Sequence, residues 1–273
     1  MTQPDVVNLW PDDCPHGRDV EGDVPRMDVY RPAASGGDRA RAAMVVLPGG
    51  GYTHRAEHEG RPFAELFARH GMVGIICHYR VGRRFPASYT DACRAIRLVR
   101  ARAAEWHIDP QRVGLLGFSA GGHNACTVAT QPELQHDSHD DLAGRFSARP
   151  DRLALAYAVT SFGEYGHEGS CEALLGPDAT AAQRDALDGE AHVDERTPPT
   201  FLFHTADDPG VPVENSMRFA AALRRAGVPF ALHIYAHGPH GVGMANGVAS
   251  APNAPHLTTW PPLLLDWLTD WRS

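Results

Sequence analysis

Two kinds of hydrophobic pattern alternate along the chain. Short apolar runs of the kind that form buried strands are separated by longer stretches whose apolar residues recur at helical spacing. The strands predicted in this way are Val24–Tyr30, Ala43–Leu47, Met72–Tyr79, Val113–Phe118, Leu153–Val159, Thr200–Thr205 and Phe230–Tyr235. The predicted helices are Glu59–His70, Tyr89–Trp106, the stretch that follows Ser119, Val213–Ala226 and the C-terminal segment from Thr259. This alternation predicts an α/β fold with a mostly parallel central sheet covered by helices on both faces.

The helix predicted over Tyr89–Trp106 is amphipathic. Its apolar residues share one face, whereas Arg94, Arg97 and Arg102 point away from that face. Arginines placed in this way are typical of a surface helix, so we expect all three to be exposed to solvent.

Two segments lack the regular alternation. Residues 1–42 contain one loosely alternating strand and polar loops, and we expect an edge region of the sheet there. From about residue 162 to 199 the periodicity is lost, except for a short helical patch near Ala181–Leu187. We interpret 162–199 as a small cap-like insertion over the strand ends.

Length and composition narrow the class of protein. The 273 residues are 43% hydrophobic, which suits one domain over residues 1–273 with the insertion inside it. A net charge of −8 offers no basic surface for nucleic acid. No apolar stretch approaches the roughly 20 residues that span a bilayer, so no membrane partner is expected. Five scattered cysteines and the absence of a secretory signal predict a soluble, cytoplasmic protein, and leave its oligomeric state open.

The candidate nucleophile is Ser119, at the centre of the sequence GFSAG over residues 117–121. A strand precedes this motif and a helix follows it, which is the context of a nucleophile elbow. Gly117 and Gly121 leave space where strand and helix pass closest, so Ser119 can adopt a strained backbone conformation. Its position at a helix N-terminus favours a developing negative charge.

The sequence PGGGY over residues 48–52 directly follows a predicted central strand. A triple glycine is entropically costly there, and an oxyanion hole gives it a function. Without side chains, the amides of Gly50 or Gly51 can point at the carbonyl oxygen of an ester held against Ser119. The version of this loop known from hydrolases usually begins with His, and Pro48 in that place does not affect N–H donation from Gly50 or Gly51.

Candidate acid and base residues follow the last two predicted strands. Asp207 and Asp208 come directly after Thr200–Thr205, and His237 and His240 come after Phe230–Tyr235. The carboxyl ends of parallel strands meet at one edge of a sheet, where Ser119 is also expected. A histidine there can take the serine proton, and a carboxylate can hold its tautomer. The order Ser119, Asp208, His240 fits such a sheet, with Asp207 and His237 as rivals.

The polar loop after the elbow helix contains His136, His139, Asp140 and Asp141. Their spacing matches no defined metal site, so we expect a solvated loop there and no metal. We also expect no cofactor.

Four stretches together resemble the short-chain esterases of the α/β-hydrolase superfamily. They are PGGGY (48–52), GFSAGGH (117–123), HTADDPGVPVENS (204–216) and GPHG (238–241). The resemblance is to the branch with acetyl-xylan and related carbohydrate esterases, and the catalytic domain of the prolyl oligopeptidase family is also similar. It covers most of the chain and implies an α/β-hydrolase fold.

The resemblance selects among the rival residues. In that family the catalytic Asp is followed by two residues and then Val, which corresponds to Asp208 rather than Asp207. The catalytic His lies in the final G-x-H-G, which corresponds to His240 rather than His237. The resemblance further implies oxyanion-hole amides at Gly50, Gly51 and Ala120. For His123, a packing or hydrogen-bonding role is expected.

The function implied by the resemblance is hydrolysis of short-chain, acetyl-type carboxylic esters by a serine enzyme through an acyl-enzyme intermediate. Acetylated xylo-oligosaccharides are the natural substrate that it suggests. One alternative is an amidase of the arylformamidase kind, which uses a similar site. Another is a ligand-binding member of the fold without activity. The polar composition of 162–199 predicts a preference for short acyl groups.

Overall fold

The computed structural model describes residues 3–11, 14–17, 24–33, 39–135 and 141–272. Its strands are β1 Asp5–Asn8, β2 Arg26–Tyr30, β3 Arg41–Leu47, β4 Val73–His78, β5 Ile108–Phe118, β6 Arg152–Ala156, β7 Thr200–Thr205 and β8 Phe230–Tyr235. Its α-helices are α1 Arg61–Arg69, α2 Ala87–Ala101, α3 Ala103–Trp106, α4 Ser119–Thr130, α5 Glu168–Leu175, α6 Ala181–Asp185, α7 Glu214–Arg225, α8 Trp260–Trp267 and α9 Thr269–Arg272.

The described strands form an eight-stranded sheet in the order β1-β2-β4-β3-β5-β6-β7-β8. The pairs β1–β2 and β2–β4 are antiparallel, and the pairs from β4 to β8 are parallel. The predicted mostly parallel sheet and the N-terminal edge region are therefore confirmed. Strand β5 begins earlier than predicted, because Ile108 still pairs with Arg41.

Both faces of the sheet are covered by helices. Alternate residues of β3 belong to two different apolar clusters, Val45 to one and Met44 to the other. The first cluster includes side chains of α2, α4 and α7, and the second includes side chains of α1 and α8. This arrangement confirms the predicted fold class. It also places the carboxyl ends of β3, β5, β7 and β8 along one edge, where an α/β sheet binds its ligands.

The arginine face of α2 is not exposed as predicted. Arg94 is 1% exposed, pairs with the carboxylate of Asp141 and donates to the Leu9 carbonyl oxygen at 2.9 Å. Arg97 is 8% exposed and donates to the Phe146 carbonyl oxygen, whereas the Arg102 side chain is 42% exposed as expected. The expectation was wrong for two of the three because remote segments, near residues 9 and 141–146, fold over this helix.

The insertion is more helical than predicted, because α5 lies in it in addition to α6. Helix α5 was missed because its eight residues, EGSCEALL, are too few for a helical repeat of apolar positions to stand out. The large apolar side chains of the insertion point inward: Phe162, Leu174 and Leu187 are each at most 2% exposed and join the main core. Polar side chains such as Glu164 and Glu168 remain exposed.

Of the polar loop after α4, residues His136, His139 and Asp140 lie outside the described residues, whereas Asp141 pairs with Arg94. Among the residues that the structure does describe, no group of three His, Cys, Asp or Glu side chains is arranged to hold a metal ion. No helix in this part of the chain is long and apolar enough to cross a membrane.

Candidate active site

Ser119 stands at a strained turn between β5 and α4. Its φ angle is +49°, a conformation that costs free energy for any residue with a side chain. Strand and helix pass so closely that a Cβ on Gly121 would lie 2.3 Å from the Leu47 carbonyl oxygen. A Cβ on Gly117 would lie 2.5 Å from the Gly121 carbonyl oxygen. The glycines at these two positions therefore allow the turn that presents the Ser119 side chain.

The structure brings Ser119, His240 and Asp208 together. The Nε2 atom of His240 lies 2.8 Å from Ser119 Oγ, and its Nδ1 atom lies 2.8 Å from Asp208 Oδ2. These three residues follow β5, β8 and β7, at the same edge of the sheet. The hydrogen bond at Nδ1 fixes the ring so that Nε2 faces the serine hydroxyl, the arrangement needed to remove its proton.

Asp208 is held as a carboxylate by its surroundings. Its side chain is 0% exposed, and its Oδ1 atom accepts hydrogen bonds from the amides of Gly210 and Val211 at 2.8 and 3.0 Å. Burial raises the pKa of Asp208, but His204, His240 and the Val211 amide outweigh it and hold the pKa below its usual value. The group therefore stays ionised and can stabilise a positive charge on His240.

The rival residues form a separate pair. His237 Nδ1 lies 2.9 Å from Asp207 Oδ2, and the Gly238 amide donates to Asp207 Oδ1 at 2.8 Å. The side chains of Asp207 and His237 are 53% and 81% exposed. Neither forms a hydrogen bond to Ser119, so this pair ties two neighbouring loops at the surface.

The glycine loop, residues 48–52 directly after β3, lies against Ser119. A Cβ on Gly49 would be 2.9 Å from Ser119 Cβ. The Gly49 amide donates to Glu59 Oε2 at 2.7 Å, whereas the amides of Gly50 and Gly51 have no partner among the described residues. Gly50 and Gly51 have φ angles of +122° and +63°, which favour glycine.

Ala120 is the second residue of α4. Its amide therefore belongs to the first turn, where N–H groups lack a helical partner. Together with Gly50 and Gly51, it leaves unpaired amides beside Ser119 that can bind an oxyanion.

Sequence reasoning missed Glu59 at this site. Its side chain is 2% exposed, its Oε2 atom accepts the Gly49 amide, and its Oε1 atom accepts the Tyr157 hydroxyl at 2.8 Å. The Tyr157 ring packs edge-on against the His240 ring, with centroids 5.2 Å apart. The sequence shows only two glutamates in the polar stretch EHEG, and nothing in it separates them. In the structure Glu57 is exposed and Glu59 is buried.

His123 does not touch Ser119. Its Nδ1 atom is 2.7 Å from the Tyr52 hydroxyl, its Nε2 atom is 3.0 Å from the Leu187 carbonyl oxygen, and its ring stacks on Phe162 at 4.0 Å. Burial lowers its pKa to about 4. The neutral ring therefore joins the glycine loop to the insertion, in agreement with the expected packing and hydrogen-bonding role.

The N-terminus of α5 brings the insertion close to the glycine loop. A Cβ on Gly51 would lie 3.9 Å from Ser170 Oγ, and Ser170 is bonded to His167 Nδ1 at 2.8 Å. Burial lowers the pKa of His167, as does the charge of His240. A cavity beside Leu174 and Leu187 measures about 10 Å³, which is at most the room of one water molecule.

A much larger cleft, of about 1010 Å³, lies on another side of the glycine loop. His54 lines it together with residues of β2, β4, α1 and the loop at 244–249, but Ser119 and His240 do not. The cleft is adjacent to the loop, because a Cβ on Gly50 would lie 2.3 Å from the His54 carbonyl oxygen. The reactive side chains and the larger cleft are therefore neighbouring but distinct features.

Comparison with known proteins agrees with this geometry. A model of the family described as BD-FAE matches residues 27–223. The chain belongs to the BD-FAE family of α/β hydrolases. The recognised α/β-hydrolase resemblance is thereby confirmed.

One similar solved structure has nearly the same backbone fold over its whole length. It is the acetyl ester-xyloside bifunctional hydrolase of Caldicellulosiruptor lactoaceticus, with 40% sequence identity, a TM-score of 0.89, and 99% of this chain and 97% of that chain covered. An endo-1,4-beta-xylanase B of Butyrivibrio fibrisolvens is 33% identical over 255 residues, which are 90% of this chain and 40% of the relative. An acetylxylan esterase of Xylanibacter ruminicola is 32% identical over 74% of this chain and 41% of its own length. The chain thus spans less than half of these two relatives.

Proposed function

We propose that the chain is a serine carboxylic-ester hydrolase, with Ser119 as nucleophile and His240 as general base and acid. Asp208 orients the His240 ring and stabilises its positive charge. The observation that carries the proposal is the unbroken hydrogen-bond chain from Ser119 through His240 to buried Asp208. The nearby unpaired amides and the family membership support it.

The reaction begins when Ser119 Oγ attacks the ester carbonyl carbon and His240 Nε2 takes the serine proton. The carbonyl oxygen becomes an anion, for which the amides of Gly50, Gly51 and Ala120 are the donors that we propose. His240 then gives its proton to the alcohol oxygen as the C–O bond breaks, leaving an acyl-serine. His240 Nε2 then takes a proton from water, which attacks the acyl-serine carbonyl carbon. His240 returns this proton to Ser119 Oγ as the bond between Oγ and the acyl carbon breaks and the acid leaves.

The substrate class that we propose is short-chain, acetyl-type esters, with acetylated xylo-oligosaccharides as the natural form. The acetylxylan esterase and the acetyl ester-xyloside hydrolase among the similar proteins support it. The insertion supports short acyl groups, because its large apolar side chains are buried in the core. We further propose that residues 1–273 form one catalytic domain with 162–199 as its insertion, because all eight described strands share one sheet.

The names of two similar proteins also include cleavage of xylosidic or xylan bonds. A glycosidase of the usual kind needs two carboxyl groups that flank the scissile bond. The two buried carboxylates beside Ser119 and His240 are already engaged, Asp208 by His240 and two amides, and Glu59 by Gly49 and Tyr157. This arrangement favours ester over glycoside cleavage.

Replacing Ser119 tests the proposal. Ser119→Ala should lower kcat on an aryl acetate by about 10⁴-fold or more, with an unchanged melting temperature. Wild-type protein should also be labelled stoichiometrically by an organophosphate, which a ligand-binding protein would not be. A variant that keeps a tenth of the wild-type rate, with contamination excluded, would contradict the assignment.

A substrate panel tests the class of substrate. Acetylated xylo-oligosaccharides, aryl esters and N-formylkynurenine are compared by kcat/KM. The highest value is expected for an acetyl ester. Preference for N-formylkynurenine would instead assign the chain to the arylformamidase kind of amidase.

A further inference from the structure

We propose that Glu59 is a positioning residue for the reaction, a second buried carboxylate that holds the glycine loop and Tyr157 in place and stabilises the positive charge that forms on His240. The inference rests on the proposed function, because it concerns the same site. Glu59 lies between the glycine loop and His240.

Glu59 links three segments that carry the reaction. Its Oε2 atom accepts the amide of Gly49, at the start of the glycine loop. Its Oε1 atom accepts the hydroxyl of Tyr157, and that hydroxyl accepts the Gly243 amide at 2.9 Å, in the loop after His240. One side chain thus fixes three segments relative to one another: the glycine loop, the end of β6, and the histidine loop, residues 236–243 after β8.

The neighbour of Glu59 reinforces this link. His58 Nε2 lies 2.8 Å from the Gly241 carbonyl oxygen and 3.7 Å from Glu59 Oε1. Gly241 follows His240 directly, so the turn that carries Glu59 is joined to the loop after β8 directly through His58 and indirectly through Tyr157. Movement of this turn would therefore displace His240 as well as Gly49.

The contacts of Glu59 fit an ionised carboxylate. Both oxygens accept hydrogen bonds, one from an amide and one from a hydroxyl whose own lone pair is used by the Gly243 amide. Burial is the largest influence and raises the pKa of Glu59 above its usual value, although the charges of His58 and His240 and the two hydrogen bonds offset part of this rise. Because Glu59 holds the Tyr157 hydroxyl and the Tyr157 ring packs against His240, a negative charge on Glu59 lies close enough to attract the positive charge that forms on His240 during the reaction.

Several titratable groups surround Glu59 and His240. Those that face His240 or Glu59 from the packed elements are Asp208, His204, His167, His58, Tyr157 and Tyr79. Asp208 contacts Nδ1 of His240 directly, whereas Glu59 acts from the opposite loop through Tyr157. The two carboxylates therefore support the imidazolium from different segments of the chain.

Three variants separate charge from packing. Glu59→Gln removes the charge, Glu59→Asp keeps it but shortens the side chain, and Glu57→Gln is the matched control on the same turn, where the side chain is exposed. Each is measured for melting temperature, kcat, KM and the pH dependence of kcat/KM on an aryl acetate.

Glu59→Gln should lower kcat by about 10- to 100-fold with little change in KM, because the charge matters most when the imidazolium forms. Without the anion, protonation of His240 is less favourable, so the acid limb of the kcat/KM profile should move to lower pH by about half a unit or more. Glu59→Asp should lower kcat but leave the acid limb in place. Glu57→Gln should match the wild type in all four measurements.

A folded Glu59→Gln protein with kcat within twofold of wild type and an unmoved acid limb would overturn the inference. If the Glu59 variants do not fold, Tyr157→Phe replaces them, since it removes the hydroxyl and keeps the ring against His240. That variant should lower kcat at unchanged KM, and an unchanged kcat would also contradict the inference. Failure of the proposed function itself would be recognised separately: esterase activity would then persist in the Ser119→Ala variant.

Discussion

Two Asp–His pairs lie side by side in this molecule and differ in little but their surroundings. Asp208–His240 and Asp207–His237 have nearly equal separations, 2.8 and 2.9 Å between carboxylate oxygen and Nδ1. Each aspartate comes from the loop after β7 and each histidine from the loop after β8. Both aspartates have a lowered pKa, Asp207 because of its hydrogen bond to His237, and Asp208 because its hydrogen bonds outweigh burial.

The pairs differ in burial and in what the second ring nitrogen contacts. The Asp208 carboxylate is fully buried and receives two backbone amides, and His240 Nε2 faces Ser119. The Asp207–His237 pair is exposed, where water screens its charges. A short Asp–His distance and a lowered aspartate pKa therefore do not distinguish the pair that we propose to be catalytic, whereas burial and the contact with Ser119 do.

The comparison is tested most directly by neutralising each aspartate in turn. Asp208→Asn should lower kcat by about 10³- to 10⁴-fold, because His240 loses its tautomer control and the charge that stabilises its imidazolium. Asp207→Asn, the matched change one residue away, should keep kcat within about tenfold of wild type. Both variants are measured on an aryl acetate, with KM and melting temperature as checks that the fold and binding are intact. The comparison breaks if Asp207→Asn has the larger effect.

Sequence alone reached much of this site because the local signals were strong. A strand, GFSAG and a helix in that order define Ser119, and the triple glycine follows a strand that must be central. The choice of Asp208 over Asp207 was different in kind. Both carboxylates occupy the same loop, so only a family pattern could separate them before the burial of each was known.

A buried histidine extends the comparison from activity to stability. Burial lowers the pKa of His123 to about 4, whereas His237 is exposed. Between pH 6.5 and 4 the unfolded chain protonates this histidine and the folded chain does not, so folding stability falls as the pH falls through that window. At pH 4 the loss should be about 3 kcal/mol.

Chemical denaturation at pH 7 and pH 4 measures this loss. His123→Gln should be less stable than wild type at pH 7 but should show a smaller decrease between the two pH values. Leu174→Ala removes packing in the insertion without removing a titrating group, so it should lower stability by a similar amount at both. An unchanged pH dependence in His123→Gln would mean that other groups cause the acid sensitivity.

The features that sequence could not predict all depend on segments distant in the chain. Arg94 belongs to an exposed face by its periodicity, yet Leu9 and Asp141 enclose it. Glu57 and Glu59 lie in the same polar stretch of sequence. Glu59 is buried because it contacts Tyr157 and Gly49, which come from distant parts of the chain. Helical spacing reports which residues share a face, but not which remote segment covers that face.

The insertion shows the same separation of buried and exposed groups, and it leads to the prediction with the smallest expected effect. Its apolar side chains Phe162, Leu174 and Leu187 belong to the core, and the cavity beside the last two is about 10 Å³. A methylene that is buried contributes about 0.8 kcal/mol, but one that finds no apolar surface contributes little or clashes.

We therefore expect kcat/KM on p-nitrophenyl esters to be highest for acetyl or propionyl and to fall by about tenfold or more by octanoyl. Glu164→Ala, at an exposed position of the same insertion, should leave this profile unchanged. A wild-type rate that climbs with chain length would show that the insertion offers an apolar surface to the substrate, and the acetyl-ester proposal would then give way to a lipophilic substrate.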